Sequence, residues 1–265
     1  MKNTFPSILT ILGAVTLIGT APAIASEVSL PEADAAPTLI ARCHPHHHHP
    51  HHFRHHIRHH MYHHHSKHTK GHSHGMSKDF KNAEEWVKVF NDPARDVWQK
   101  PDAVVDALNI QPNDVVADIG AGTGYFTFRI AKKQTTAKIY AADVQPDMIE
   151  FLKKESTTQE CANVIPILIP NEKVIFPEPV NLVLVVDTFH HIDDRINYFR
   201  SLKKTLATDS RVVIIDFIES SPVGPPVEYR ISKKEVVAEL NASGYKLAED
   251  KDILPNQYFL IFSQK

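Results

Sequence analysis

Cysteine is scarce in this chain: Cys43 and Cys161 are the only two in 265 residues. No disulfide framework and no zinc-finger spacing can be built from such a pair, and both are expected to stay unpaired. Basic charge is not in excess either. Residues 1–78 hold seven Lys/Arg against three Asp/Glu, and the remainder holds 22 against 28, so the larger part of the chain is mildly acidic. That balance gives no reason to expect nucleic acid as a partner. The apolar stretch Ile8 to Ile18 is too short to span a bilayer comfortably. What is present is an ordinary apolar content, which suits one globular domain of roughly 180 to 200 residues with extensions.

The extensions lie at the N-terminal side. Residues 1–25 read as a secretory signal peptide: Lys2 gives a positive start, Ile8 to Ile18 the apolar segment, and Ala23-Ile24-Ala25 the small-x-small cleavage pattern. The protein is therefore expected to be exported, periplasmic or secreted, with no transmembrane helix after cleavage; left uncleaved, the segment is a membrane anchor. Residues 26–77 read as a disordered linker that starts with an Ala- and Pro-rich acidic stretch. Within it, residues 44–74 hold 17 of the 19 histidines. Their core has a four-residue beat, His51-His52, His55-His56, His59-His60 and His63-His64, and positions four apart share a helix face. Such imidazole pairs suit zinc, nickel or copper. A low-complexity tract also binds metal without being helical, or is a repeat expansion with no ligand at all.

From about Lys78 the composition becomes that of a folded domain, residues 78–265. Helices are predicted at Asn82–Phe90, Pro101–Leu108, Tyr125–Lys132, Pro146–Lys154, Arg195–Thr205 and Lys233–Ser243. Strands are predicted at Val115–Ile119, Lys138–Ala142, Asn163–Leu168, Leu182–Asp187, Arg211–Phe217, Tyr245–Asp250 and Tyr258–Phe262. Apolar β-branched runs alternating with helical periodicity predict an α/β fold: a Rossmann-like doubly wound sheet of seven strands, mostly parallel. The last two strands fall close together, which predicts one antiparallel strand near the edge.

The first strand runs into a glycine-rich turn, VVADIGAGTGYF. In an open α/β sheet the ligand lies beyond the carboxyl ends of the strands. Gly120, Gly122 and Gly124 allow a tight turn and a close approach. A phosphate-binding P-loop is excluded, because Gly124 is followed by Tyr125 rather than by Lys-Ser/Thr. A dinucleotide turn reads G-x-G-x-x-G, and here the last glycine comes one residue early. Asp118 adds a carboxylate that would repel a pyrophosphate and attract a sulfonium bearing an ammonium group.

DIGAGTGYF resembles motif I of the class I S-adenosylmethionine-dependent methyltransferases. AADVQPDMIEFL resembles their second motif, with Asp143 ending the second strand 19 residues after Gly124. NLVLVVDTFHHIDD resembles their fourth strand and the loop on its catalytic face. VWQKPD, PVGPPVEYRIS and LPNQYFLIF are similar to a narrower group of predicted bacterial small-molecule methyltransferases. The chain departs from the pattern at His190-His191, where the family often has a histidine followed by an acidic residue. It departs again in IPNEKVIFP, which lacks the usual acidic residue in its usual frame.

The resemblance implies S-adenosylmethionine as cofactor and a site built as follows. The backbone of Gly120, Ala121 and Gly122 passes under the methionine moiety, and Gly124 completes the turn. Asp118 helps to hold the amino group, directly or through water. Asp143 binds the ribose, Val144 packs on the adenine, and Glu172 or Asn171 contacts the adenine amino group. Asp187, ending the fourth strand, faces the sulfur region. His190 and His191 fall where a catalytic base would sit; a structural histidine bonded to backbone is the competing reading. Trp98, Tyr125, Arg230 and Tyr258 are candidate substrate residues for a small-molecule acceptor, and Arg230 could instead pair with a surface carboxylate. Two hypotheses follow. One is an active methyltransferase with a metal-binding tail. The other is an exported metal-binding protein on a catalytically silent methyltransferase fold, favoured by the signal peptide because the methyl donor is made in the cytoplasm.

Overall fold

The computed structural model describes residues 82–170 and 174–265. The expected export segment Met1–Ala25, the expected linker, the histidine pairs from His51 to His64, Cys43, and Asn171 with Glu172 lie outside the described residues.

Three short helices come first: α1 (Ala83–Phe90), α2 (Ala94–Gln99) and α3 (Pro101–Ala107). Then follow β1 (Val115–Ile119), α4 (Thr127–Lys133), β2 (Lys138–Asp143), α5 (Pro146–Thr158), β3 (Val164–Leu168) and β4 (Val180–Val186). The second half holds α6 (Arg195–Leu202), β5 (Leu206–Phe217), α7 (Lys233–Ala242), β6 (Tyr245–Lys251) and β7 (Gln257–Gln264). Among the described residues no helix is long and apolar enough to cross a membrane.

The seven strands form one sheet in the order β3-β2-β1-β4-β5-β7-β6. β1 pairs in parallel with both β2 and β4, so the switch in strand direction of travel falls at β1 and β4, where a ligand crevice is expected. β7 is the antiparallel strand; it enters between β5 and β6, pairing Phe217 with Gln257 and Arg211 with Ser263. The alternation of side chains along each strand supplies two apolar faces. Val116, Leu184, Val213 and Phe259 meet α3, α4 and α5 on one side. Ala117, Val185, Ile214 and Leu260 meet α6 and α7 on the other. Phe199 of α6 and Leu152 of α5 are fully buried, each worth about 1.5–3 kcal/mol over exposure.

The predicted elements recur with boundaries moved by a few residues, and one differs in kind. α2 has no counterpart in the sequence reading. Its six residues, ARDVWQ, follow Asp92-Pro93 and end at Lys100, which takes a left-handed conformation (φ 44°) before Pro101 opens α3. The strand expected to run through Asp187 stops at Val186, and Asp187 itself turns left-handed (φ 53°).

Candidate functional site

The glycine turn leaves β1 and is pinned to the neighbouring strand. The Gly120 and Ala121 amides both donate to the Ala142 carbonyl, at 2.8 and 3.1 Å. The three glycines serve different ends. A Cβ on Gly120 would come within 3.0 Å of the Thr188 side chain, and one on Gly124 within 3.0 Å of the Phe128 ring. Both are closed in by packing. A Cβ on Gly122 would fit in ordinary contact with the Phe90 ring at 3.5 Å and the Gly120 carbonyl at 4.0 Å, so Gly122 is the least crowded of the three. Its amide donates to Asp143 Oδ2 at 2.8 Å, and the Gln145 amide donates to Oδ1 at 2.9 Å. Two backbone bonds thus aim the Asp143 carboxylate at the turn. Val144, next in chain, is 40 % exposed, an apolar surface free for a flat ring.

Three acids converge here. Asp118 is buried under the first turn of α4 and accepts the Thr127 hydroxyl at 2.6 Å. Burial, helped by the nearby Asp143 charge, raises it to about 6 against the pull of the Thr127 bond and Arg95. Burial also raises Asp143, opposed by the amides of Gln145, Gly122 and Val144. Asp187 is raised to about 6, again chiefly by burial, with Arg95 acting against it. For Asp118 and Asp187 burial outweighs the compensation that Arg95 gives, and a cationic ligand would add to it.

The positive group present is Arg95, and the sequence reading missed it. From α2 its Nη2 donates to Asp187 Oδ2 at 3.0 Å, its Nη1 to the Phe90 carbonyl at 2.8 Å, and its Nε to Gln99 Oε1. The guanidinium lies 4.1 Å from the Tyr125 ring centroid. Burial lowers its hold on its proton, and Asp187 partly restores it. Gln99, fully buried, donates to Asp187 Oδ2 at 3.3 Å and to Gln257 Oε1 at 2.9 Å, and Gln257 donates to Asp187 Oδ1. The motifs VWQKPD and LPNQYFLIF therefore meet at Asp187. That carboxylate, which the resemblance places facing the sulfur region, is held by three side chains. The same N-terminal segment reaches the turn at Asn91, whose Oδ1 accepts the Thr123 hydroxyl at 2.8 Å.

His190 and His191 sit in a short turn after β4. His190 is buried, with Nδ1 2.9 Å from Asp216 Oδ2 and 3.0 Å from Oδ1 at the end of β5. Burial alone would lower the imidazole; the Asp216 carboxylate, aided by Asp187, outweighs it, so His190 is raised. The Asp216 bond fixes the proton on Nδ1 and leaves Nε2 as the basic nitrogen. Asp216 was not foreseen, although an acid ending the apolar run VVIIDF was a visible signal. His191 lies partly exposed, its ring 4.2 Å from that of His190.

The expected substrate residues divide. Trp98 is half-buried on the same helix as Arg95, its ring 5.7 Å from Phe217. Tyr125 is not free for substrate: its hydroxyl donates to Asp96, and its ring is flanked by Arg95 and Arg129. Arg230 acts as a loop staple. It donates to the carbonyls of Pro225, Ile218, Glu219, Ser221 and Val223, at 2.8–3.2 Å. Tyr258 is buried and its hydroxyl donates to the Ile231 carbonyl at 3.3 Å. It backs a surface groove of about 410 Å³ lined also by Ser220, Ser232, Lys233 and Lys234.

Comparison with known proteins gives the arrangement its relatives. A family model described as a methyltransferase domain matches residues 110–252, more than half of the chain. Phosphoethanolamine N-methyltransferase 1 of Zea mays is 29 % identical over 125 residues, 47 % of this chain and 25 % of that protein. An uncharacterised methyltransferase-like protein of Schizosaccharomyces pombe is 35 % identical over 89 residues, 34 % of this chain and 33 % of that one. The chain thus spans a quarter to a third of the length of these curated relatives. A solved S-adenosylmethionine-dependent methyltransferase from Aquifex aeolicus superposes with a TM-score of 0.63 at 22 % identity, covering 68 % of this chain and 97 % of that one.

Proposed function

The chain belongs to the methyltransferase-domain family, and from that premise we propose that its crevice binds S-adenosylmethionine and methylates a small-molecule acceptor. The observation that carries the reading is the set of buried acids around the glycine turn, whose burial outweighs the one nearby cation, Arg95. Asp118 and Asp187 are both raised to about 6, and the donor brings a sulfonium and an ammonium group to that place. Gly122 leaves the backbone bare, Asp143 presents a carboxylate for the two ribose hydroxyls, and Val144 offers an apolar face for the adenine. Bound there, the donor supplies a methyl group already activated by its sulfonium.

What the chain must add is alignment and, for an acceptor that loses a proton, a base. His190 fills the second role in this reading. Asp216 holds Nδ1, so Nε2 takes the acceptor's proton, and the carboxylate stabilises the imidazolium that forms. His191, beside it, borders the acceptor's approach. The relative named for phosphoethanolamine supports a small polar acceptor without fixing which one. We assign zinc, nickel or copper binding to the histidine pairs of the tail, and export to the first 25 residues, on the sequence pattern alone.

One set of calorimetric titrations tests these assignments. The full chain is expected to bind S-adenosylhomocysteine, and Asp143→Ala to weaken it by about 100-fold, the loss of a charge-assisted pair of hydrogen bonds. Zinc is expected to bind the full chain and to lose its heat when residues 44–74 are deleted. A folded chain that does not take S-adenosylhomocysteine sinks the methyltransferase reading; one that takes zinc alone favours the metal-binding scaffold.

A further inference from the structure

Resting on the donor reading above, we infer that Arg95 receives the carboxylate at the amino-acid end of the donor. The methionine portion of such a donor carries an ammonium and a carboxylate, and the turn is lined by acids suited only to the first. Arg95 is the cation inserted among them. Its side chain is 14 % exposed and bridges Asp187, on the β4 side of the crevice, to Tyr125, the residue that follows Gly124. The neighbouring Arg129 is committed elsewhere, donating to both Asp96 oxygens at 3.1 and 3.2 Å and to the Tyr125 carbonyl at 2.8 Å.

A guanidinium has five N–H groups. Arg95 spends Nε on Gln99, one Nη1 hydrogen on the Phe90 carbonyl and one Nη2 hydrogen on Asp187. One N–H on each terminal nitrogen is therefore left without a partner among the described residues, and a pair of terminal N–H groups is what a carboxylate accepts. Gln99 does not touch the ligand in this scheme. It fixes the plane of the guanidinium through Nε, while its amide hydrogens hold Asp187 and Gln257 in place. The carboxylate would also share the cation with Asp187, leaving that acid more of its charge for the ammonium group. The family match begins at residue 110, so this contact comes from a segment outside it.

The test is calorimetry on the full chain with three ligands: S-adenosylhomocysteine, its decarboxylated analogue, and 5′-methylthioadenosine, which lacks the whole amino-acid end. The wild-type chain is expected to bind the decarboxylated analogue about 10- to 100-fold more weakly than S-adenosylhomocysteine. Arg95→Ala is expected to lose about the same factor for S-adenosylhomocysteine and less than about twofold for 5′-methylthioadenosine, with Arg95→Lys between. Equal wild-type affinity for the acid and its decarboxylated analogue overturns the inference even if no Arg95 variant folds. So does an Arg95→Ala loss that is the same for all three ligands, because that marks a collapsed crevice. A wild-type chain that binds none of the three overturns the donor reading and this inference with it, whereas binding without discrimination overturns this inference alone.

Discussion

Gly120→Ala is expected to lose about 3 kcal/mol of folding stability, while Gly122→Ala, two residues on, loses about 1 kcal/mol. Both glycines have positive φ, 74° and 54°, so both substitutions carry the left-handed penalty of a Cβ. Only at Gly120 does the new atom also land within 3.0 Å of Thr188 Oγ1, Cγ2 and Cβ. Thr188 cannot swing away cheaply, because its hydroxyl is bonded to the Val186 carbonyl at 2.9 Å and its Cβ is fixed by the backbone. Urea unfolding followed by circular dichroism reads the difference as a shift in midpoint at constant slope. Equal shifts for the two variants would contradict the division of labour between them. Donor affinity should move the other way: Gly122→Ala narrows the turn at its least crowded glycine, so its binding loss should exceed its stability loss.

Asp118→Asn is expected to stabilise the fold at pH 8 by about 2–3 kcal/mol and to weaken binding of S-adenosylhomocysteine by about 10-fold. Asp118 is held at about 6, by burial first and by Asp143 second, against an ordinary value of 3.8. Between those two values the folded chain keeps a proton that the unfolded chain has released, so this group's contribution to stability falls as pH rises through that window. Above about pH 6 the folded state carries a buried charge at its full cost. Asparagine removes the charge and still offers an oxygen to the Thr127 hydroxyl. The gain should therefore be largest in alkali and vanish near pH 4, which thermal melts of both chains across that range would show. A gain independent of pH would mean that Asp118 is not the titrating group. The acid that makes the site suited to a cation is, on this account, a local defect of the empty fold.

What could be read in advance divides along a physical line. β1, β2 and β4 were legible because buried parallel strands are continuous apolar runs, and the turn between β1 and α4 because positive φ selects glycine. Asp118 and Asp143 follow from those strands, since each stands at a carboxyl end. α2 was not legible: six residues after Asp92-Pro93, with only Val97 and Trp98 apolar in its later half, give no helical period to detect. Its consequences were lost with it, Arg95 and Gln99 above all. The Gln99–Gln257 bond joins residues 158 positions apart, and no local pattern encodes such a pairing. Arg230 failed for another reason. A lone arginine in PVGPPVEYR has the same look whether it awaits an anion or, as found, gathers five carbonyls of its own loop.

The lock formed by Gln99, Asp187 and Gln257 also sets an order of events during folding. β1, the glycine turn, β2 and β4 come earlier in the chain, but Gln257 belongs to β7, 70 positions beyond Asp187, which pairs with β5 and joins β6 to the sheet. Until it does, Asp187 lacks one of its three partners and α2 one of its anchors. Contacts of such long sequence separation form late and slowly. A chain in which β7 has not yet paired therefore holds the glycine turn beside β2 but not the finished Asp187 lock, which closes when β7 joins β5.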